Sequence, residues 1–216
     1  MLTKENLRKP YLLLSAALVL FGITLGITGS GQIHLLPGIA TGSRFYFRAL
    51  YTFTYQSNLL LVLGFLVMAV LKSRKAGLYI SVAVMLATSV TGLVYNLLLV
   101  PFAGAPMFFS SYVNFSTHIL AMALALVNYF AFECKGFLNY RHILAAMIFP
   151  AVYWIVFVNI GERIDFFPYF FMNHTEIGWA MVLLWLVGLL VALVGLGLLI
   201  VLYDKVRGKM QVSQCK

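Results

Sequence analysis

Six uncharged runs of apolar residues, each about as long as a bilayer is thick, limit what this chain can fold into. A helix needs about 20 apolar residues to cross the hydrocarbon layer of a membrane. The runs lie at about residues 11–29, 53–71, 76–100, 114–132, 143–160 and 177–203. They predict an all-α integral membrane protein, a six-transmembrane-helix bundle in which residues 1–216 form a single domain.

The composition excludes a water-soluble fold. The chain of 216 residues is 62% hydrophobic and 10% charged, with a mean hydropathy of +0.97. A soluble protein of this length needs far more polar cover, because much of its surface stays exposed. The first run is too long for the apolar core of a signal peptide and has no A-x-A-like site soon after it, so we expect a retained first helix.

Lysine and arginine are divided unevenly between the two sides of the predicted bundle. The N-terminus, loop 72–75, loop 133–142 and the C-terminal tail carry twelve of them, and the other side carries three. Positive residues gather on the cytoplasmic side, so we expect both termini to be cytoplasmic. The same bias explains the net charge of +9. Basic edges of this kind face anionic lipid, which indicates the lipid bilayer as a partner and no nucleic acid.

The two cysteines fall on the predicted cytoplasmic side. They are Cys134, in the loop after the fourth run, and Cys215, in the C-terminal tail. Because thiols are kept reduced in that compartment, the sequence predicts no structural disulfide.

Polar side chains gather in the outer third of the predicted helices. Thr54 precedes Lys72 by 18 residues, which corresponds to roughly 27 Å of helix. His118 precedes Glu133 by 15 residues, or roughly 23 Å. Since the hydrocarbon layer is about 30 Å thick, both groups lie near its outer boundary. The inner two thirds of the helices are almost purely apolar, which weighs against a transporter.

Three predicted helices carry polar residues spaced three or four apart, so each presents a polar stripe on one face. The members of these stripes are Thr54, Ser57 and Asn58 on the second helix, Thr91 and Tyr95 on the third, and Asn114 and His118 on the fourth. Lipid penalises exposed polar groups, so we expect these stripes to face one another in a pocket near the outer face. The fifth helix and the loop after it add three further candidates, Asn159, Asp165 and Tyr169.

Thr54 and His118 are the pair best suited to chemistry. Histidine titrates near neutrality and can act as a general base, and an ionisable group at the membrane edge is typically functional. Structural readings stay open for both residues. Thr54 is a candidate N-cap of its helix, and His118 is a candidate for an interhelical hydrogen bond to Asn114 or Thr91.

Two other functions remain as alternatives. His34, His118 and His174 all fall on the predicted outer side, which leaves a metal-dependent hydrolase open. The sequence has no H-E-x-x-H or similar ligand spacing, and no G-x-S-x-G, P-loop or dinucleotide fingerprint, so we expect no metal and no cofactor. The second alternative is a non-catalytic membrane protein that binds a lipid or another small ligand in the same pocket.

Three short motifs carry a resemblance to a known family. They are TYQSNLL at residues 54–60, NFSTH at 114–118 and FFPYFF at 166–171. In motif order and helix count, over nearly its whole length, the chain resembles the androgen-induced and androgen-dependent membrane hydrolases and their bacterial relatives. Members of this family are six-helix proteins with a threonine nucleophile and a histidine base.

The resemblance implies an activity and a site. Thr54 takes the position of the nucleophile and His118 that of the base, which implies hydrolysis of an acyl ester of a membrane lipid or other amphiphile. Animal members hydrolyse esters of fatty acids with hydroxy fatty acids and carry aspartate three residues after the threonine, where this chain has Ser57. The QSN pattern is typical of the bacterial branch and implies a bacterial cell membrane. Ser57 stays open as an alternative nucleophile.

The implied reaction also needs supporting groups. An oxyanion requires hydrogen-bond donors aimed at it. The candidates for this role are Asn58, Tyr95, Asn114 and Asn159. Asp165 or Glu162 is the candidate for orienting the histidine. No feature of the sequence indicates whether the protein is a monomer or an oligomer.

Overall fold

A computed structural model describes residues 4–28, 50–105, 107, 111–164 and 166–211. Within these ranges, six helices are long and apolar enough to cross a membrane, which confirms the predicted helical bundle. They are α1 (Lys4–Ile27), α2 (Phe53–Val70), α3 (Arg74–Ala103), α4 (Tyr112–Phe132), α5 (Tyr140–Ile164) and α6 (His174–Gln211). A short 3₁₀ turn, Phe170–Met172, lies between α5 and α6.

The helices extend past most ends of the apolar runs. α1 begins several residues before its run, and α6 continues beyond Tyr203 through charged residues to Gln211. Hydrophobicity marks only the part of a helix that lies in hydrocarbon, whereas backbone hydrogen bonding continues into the polar boundary. α6 also contains a break at Gly178, where φ is 79°. Glycine reaches this backbone conformation without steric penalty.

α3 is the central helix of the bundle. It packs against α2, α4 and α5, while α1 packs on α2 and α4. Of the most apolar stretch of α3, 61% is buried within the protein, compared with 17% for α6. α6 therefore lies at the periphery, where most of its side chains face outward from the bundle.

Charged residues join the helices at one end of the bundle, which we call the basic end. Arg8 of α1 forms an ion pair with Glu133, which follows α4. Asp204 of α6 is fully buried. It accepts hydrogen bonds from the Tyr129 hydroxyl and the Gly136 N–H, both at 2.8 Å. These contacts fix the ends of α1, α4 and α6 to one another.

One expectation for the basic end is wrong. Cys134 is disulfide-bonded in the structure. The other cysteine of the chain, Cys215, lies outside the described residues. The expectation of free thiols rested on the predicted compartment alone, and a compartment does not determine which segments of a chain meet.

The opposite end, which we call the site end, is built from aromatic side chains. Phe53 of α2 packs edge-on against Tyr153 of α5, with ring centroids 5.0 Å apart. Trp154 stacks on Phe171 of the 3₁₀ turn, with ring centroids 5.8 Å apart. This cluster joins the start of α2 to α5 and to the segment before α6. It thereby surrounds the first turn of α2, where Thr54 lies.

Candidate active site

Thr52, and not Thr54, caps the N-terminus of α2. The Thr52 side chain accepts a hydrogen bond from the Tyr55 N–H at 3.4 Å. The reading of Thr54 as the N-cap is therefore wrong. Thr54 is the second residue of α2 and is buried, and its hydroxyl is left for contacts outside its own helix end.

His118 lies beside the Thr54 hydroxyl. Its Nε2 atom is 3.4 Å from Thr54 Oγ1. Its Nδ1 atom lies 3.1 Å from the Asn114 carbonyl oxygen, which can only accept a hydrogen bond. Nδ1 therefore carries the proton in the neutral ring, and Nε2 presents its lone pair to the threonine. This is the arrangement that a general base requires, at a separation typical of sites without substrate.

The ring of Tyr95 stacks on the face of the His118 imidazole. The two ring centroids are 3.5 Å apart and the planes differ by 19°. Tyr95 begins one π-helical turn, Tyr95–Leu99, and His118 lies in another, Ser116–Leu120. A π turn inserts an extra residue into a helix and changes which face the following side chains occupy, and such turns recur at functional sites.

Ser57 and Asn58 hold the helices together behind Thr54. Ser57 Oγ lies 2.6 Å from Thr91 Oγ1 and 3.0 Å from the Thr54 carbonyl oxygen. The Asn58 amide donates to the carbonyls of Thr54, at 2.6 Å, and Thr117, at 3.0 Å. These bonds tie α2 to α3 and to α4. Ser57 is fully buried and has no histidine beside it in the described part of the chain.

Tyr169 reaches Thr54 from the loop between α5 and α6. Its hydroxyl accepts a hydrogen bond from the Thr54 N–H at 3.3 Å and lies 3.5 Å from Thr54 Oγ1. Its ring stacks on Phe171, with centroids 5.1 Å apart and planes within 7°. Burial raises the pKa of the Tyr169 phenol, and hydrogen bonds with Thr54 and the Phe53 backbone act in the opposite direction.

An apolar pocket begins at Thr54 and has a volume of about 570 Å³ when the space open to its surroundings is included. It continues between α3, α5 and α6, where Pro150 and four leucines of α6 line it. The residues that line it are Phe53, Thr54, Val90, Thr91, Val94, Tyr95, Leu99, Pro150, Tyr153, Trp154, Tyr169, Phe171, Met172, Leu186, Leu189, Leu190 and Leu193. His118 is absent from this lining, whereas its neighbours Thr54 and Tyr95 belong to it.

The other predicted site residues are placed differently. Asn114 contributes its backbone carbonyl, which binds His118. Asn159 is exposed, and its amide donates to the Ile155 carbonyl of its own helix at 2.6 Å, so it does not line the pocket. Asp165 lies outside the described residues. Glu162 is largely exposed and lies beside His174, 4.0 Å from its Nε2.

Sequence reasoning missed most of the pocket wall. Tyr153, Trp154 and Leu190 line the pocket but carry no polar pattern that separates them from lipid-facing neighbours. The aromatic block around Tyr169 is equally typical of a membrane-interface belt. Pro150, a proline inside an apolar helix, is the one local signal in this wall, since proline leaves a backbone carbonyl without its usual partner.

The metal-dependent alternative finds little support in the described part of the chain. No three His, Cys, Asp or Glu side chains there are grouped closely enough to hold a metal ion. His174 stacks on Trp179, with ring centroids 4.2 Å apart. His34 lies outside the described residues.

Comparison with protein-family models, with curated proteins and with solved structures gives no significant match. The helices nevertheless define the class to which the chain belongs. It is an all-helical, multi-pass membrane protein with a buried Thr–His pair at the head of an apolar pocket.

Proposed function

We propose that this protein is a membrane-embedded threonine hydrolase that cleaves an acyl ester of a lipid or another amphiphile. The observation that carries the proposal is the position of Thr54 Oγ1. It lies 3.4 Å from the His118 lone pair, in a residue that lines the apolar pocket. A nucleophile needs a base on one side and room for the scissile carbonyl on the other.

The reaction follows from this geometry. His118 Nε2 takes the Thr54 proton as Oγ1 attacks the ester carbonyl, and the imidazolium returns that proton to the leaving alcohol. Water, activated by the same imidazole, then hydrolyses the acyl-threonine. The Asn114 carbonyl takes the role that a carboxylate has in other triads, because it holds Nδ1–H and so fixes the tautomer.

The pocket indicates the class of substrate. Its polar groups are concentrated near Thr54, and its far part is lined by leucines of α6. Apolar walls accept a hydrocarbon chain, whereas they would penalise a polar group without a hydrogen-bond partner. An acyl chain would lie along α6 with its ester group at Thr54. α6 is also the least buried helix, so a lipid would approach the pocket from the bilayer.

The proposal includes an orientation in a bacterial cell membrane. The basic end would face the cytoplasm, with both termini, and the site end would face outward, because twelve of fifteen lysines and arginines belong to the basic end. The disulfide of Cys134 favours the opposite orientation, because the cytoplasm keeps cysteines in the thiol form. The charge bias decides the orientation that we propose, because it acts on the whole chain during insertion.

Orientation can be tested separately from activity. In a protein with both native cysteines replaced by serine, we would introduce Phe102→Cys at the site end or Lys209→Cys at the basic end. Phe102 is strongly exposed. A membrane-impermeant maleimide should label only the Phe102→Cys protein in intact cells. Labelling of Lys209→Cys alone would reverse the proposed orientation.

Activity is tested by fluorophosphonate labelling and by hydrolysis of p-nitrophenyl octanoate in detergent. We expect a Thr54 adduct on the wild-type protein, and loss of both adduct and hydrolysis in Thr54→Ala and His118→Ala. Thr88→Ala is the matched control, because Thr88 is a buried α3 threonine that bonds only backbone carbonyls of its own helix. Hydrolysis that persists in a folded Thr54→Ala protein would refute the proposal. Tight binding of p-nitrophenyl octanoate without any turnover would favour the non-catalytic alternative.

A further inference from the structure

Asn58 and Asn159, two of the residues that the sequence suggested as oxyanion donors, are bonded elsewhere. Both amide hydrogens of Asn58 are directed at backbone carbonyls, those of Thr54 and Thr117. Asn159 is exposed and bonded within its own helix. An acyl-transfer site without such a donor would lose the electrostatic contribution that usually dominates this chemistry.

Two side chains of the described part of the chain place a hydrogen-bonding atom within 3.5 Å of Thr54 Oγ1. One is His118 and the other is Tyr169. Tyr169 is also part of the pocket wall, whereas His118 is not. A carbonyl group that reaches Thr54 from the pocket therefore meets the Tyr169 hydroxyl, which belongs to the same pocket wall.

On this basis we propose that Tyr169 is a catalytic residue whose hydroxyl donates a hydrogen bond to the oxyanion of the tetrahedral intermediate. The inference rests on the proposed hydrolase function. As Thr54 Oγ1 forms its bond to the carbonyl carbon, the π electron pair moves to the carbonyl oxygen. The phenol keeps its proton throughout and only shares it with that oxygen.

The hydrogen bonds of Tyr169 leave its proton available. Its oxygen accepts the Thr54 N–H at 3.3 Å, so the hydroxyl hydrogen points elsewhere. Its distance from Thr54 Oγ1, 3.5 Å, is well beyond an ordinary O–H···O bond, which is about 2.7–2.8 Å. The proton is therefore not held by a short bond in the resting protein. An oxyanion, which is charged, is a stronger acceptor than a threonine hydroxyl.

Two further features suit Tyr169 to this role. Burial keeps its pKa raised, so the phenol stays protonated at neutral pH. Its ring is held by stacking on Phe171 and by the aromatic cluster around it, which positions the hydroxyl before substrate arrives. Donors that are fixed in advance need no reorganisation as charge develops, which is the basis of their catalytic effect.

The test is Tyr169→Phe, which removes the hydroxyl and keeps the stacked ring. With p-nitrophenyl octanoate we expect kcat to fall by about 10²-fold or more, with little change in KM. The matched control is Tyr11→Phe, because the Tyr11 hydroxyl bonds a backbone carbonyl, that of Leu124 at 2.5 Å, away from the pocket. It should retain the wild-type kcat.

A pair of inhibitors separates a catalytic role from a structural one. The trifluoromethyl ketone analogue of the octanoyl ester forms a Thr54 adduct with an oxyanion, whereas the plain methyl ketone binds without one. Tyr169→Phe should weaken binding of the trifluoromethyl ketone by the same factor as kcat/KM and leave methyl ketone binding unchanged. Equal weakening of both ketones would overturn the assignment, because it would show a collapsed pocket.

Failure of this inference can be told apart from failure of the hydrolase proposal. If Thr54→Ala is inactive while Tyr169→Phe keeps the wild-type kcat, the oxyanion role is refuted and the hydrolase stands. If Thr54→Ala hydrolyses the ester as fast as the wild-type protein, both proposals fall together.

Discussion

Thr54 and Ser57 carry the same hydroxyl group one helical turn apart, and only their surroundings give them different chemistry. Thr54 Oγ1 lies 3.4 Å from the His118 ring nitrogen, and Thr54 lines the pocket. Ser57 Oγ is fully buried against Thr91 and the Thr54 carbonyl, and it does not line the pocket. A hydroxyl without a base stays protonated near neutral pH and is a poor nucleophile.

We therefore expect position 54, and not position 57, to determine where the adduct forms. Thr54→Ser should keep the fluorophosphonate adduct at position 54, because it preserves the hydroxyl. Ser57→Ala should also keep that adduct but lower stability by about 0.6 kcal/mol, a typical value for one interhelical hydrogen bond in a membrane protein. Peptide mapping of the adduct and thermal melting in detergent measure both effects. An adduct on Ser57 in the wild-type protein would contradict this assignment.

At the residue scale, the sequence predicted which side chains lie close together better than it predicted which hydrogen bonds each of them makes. Helical spacing and depth placed Thr54 and His118 together, and the structure brings them within 3.4 Å. Spacing could not show that Thr52 caps α2 or that the Asn58 amide donates its hydrogen bonds to backbone carbonyls. Those roles depend on side-chain directions and on contacts between helices, and no residue pattern within one helix encodes them.

At the scale of single elements, six helices long and apolar enough to cross a membrane were predicted, and the irregular turns within them were not. Apolar length is sufficient to locate a membrane helix, so all six appear near the expected positions. The π turns at Tyr95–Leu99 and Ser116–Leu120 could not be predicted, because an extra residue in a helical turn has no distinctive composition. Both turns lie at the candidate site, where they direct Tyr95 and His118 towards each other.

Gly178 provides a test of the break in α6. Its φ of 79° and ψ of 154° belong to a region that is accessible essentially to glycine alone. Gly178→Ala should therefore cost roughly 1–3 kcal/mol, seen as a lower melting temperature in detergent. Gly188→Ala is the matched control on the same helix, since the added methyl group would meet no neighbouring helix or side chain of the described residues within 4 Å. It should be neutral or mildly stabilising, because alanine favours a helix over glycine. Equal melting of the two variants would show that the break is not needed.

At the scale of the whole molecule, the two ends of the bundle interact with α6 in different ways. The basic end fixes α6, which buries little of its apolar surface, through Asp204. The Asp204 carboxylate accepts hydrogen bonds from Tyr129, Gly136 and Leu138, at 2.8–2.9 Å. The site end then uses the leucines of the same helix as one wall of its pocket. Neither role could be predicted from the sequence of α6, because its apolar residues are nearly continuous and mark no buried face.

Asp204→Asn should weaken the attachment of α6. The amide has one acceptor oxygen in place of two, so at least one bond to a charged acceptor is lost, at a cost of roughly 1.5–3 kcal/mol. We expect a lower melting temperature in detergent, and loss of octanoate ester hydrolysis at a correspondingly lower temperature. Lys205→Ala removes an exposed neighbouring side chain and should leave the melting temperature unchanged. A melting temperature of Asp204→Asn equal to that of wild type would contradict the anchoring role.

The depth of the pocket within the bundle leads to a prediction about substrate length. Leu190 lines the pocket beyond the polar residues and is half-buried, so a larger side chain there would occupy space proposed for the end of an acyl chain. Leu190→Trp should reduce kcat/KM for long-chain p-nitrophenyl esters and spare the acetate and butyrate esters, whose chains end near Thr54. Leu199→Trp is the matched control, because Leu199 is on the same helix but faces outward from the bundle. It should leave the chain-length profile unchanged. An equal loss on all chain lengths in Leu190→Trp would mean that the pocket holds the alcohol part of the ester or serves only packing, and the acyl chain would then have to lie elsewhere.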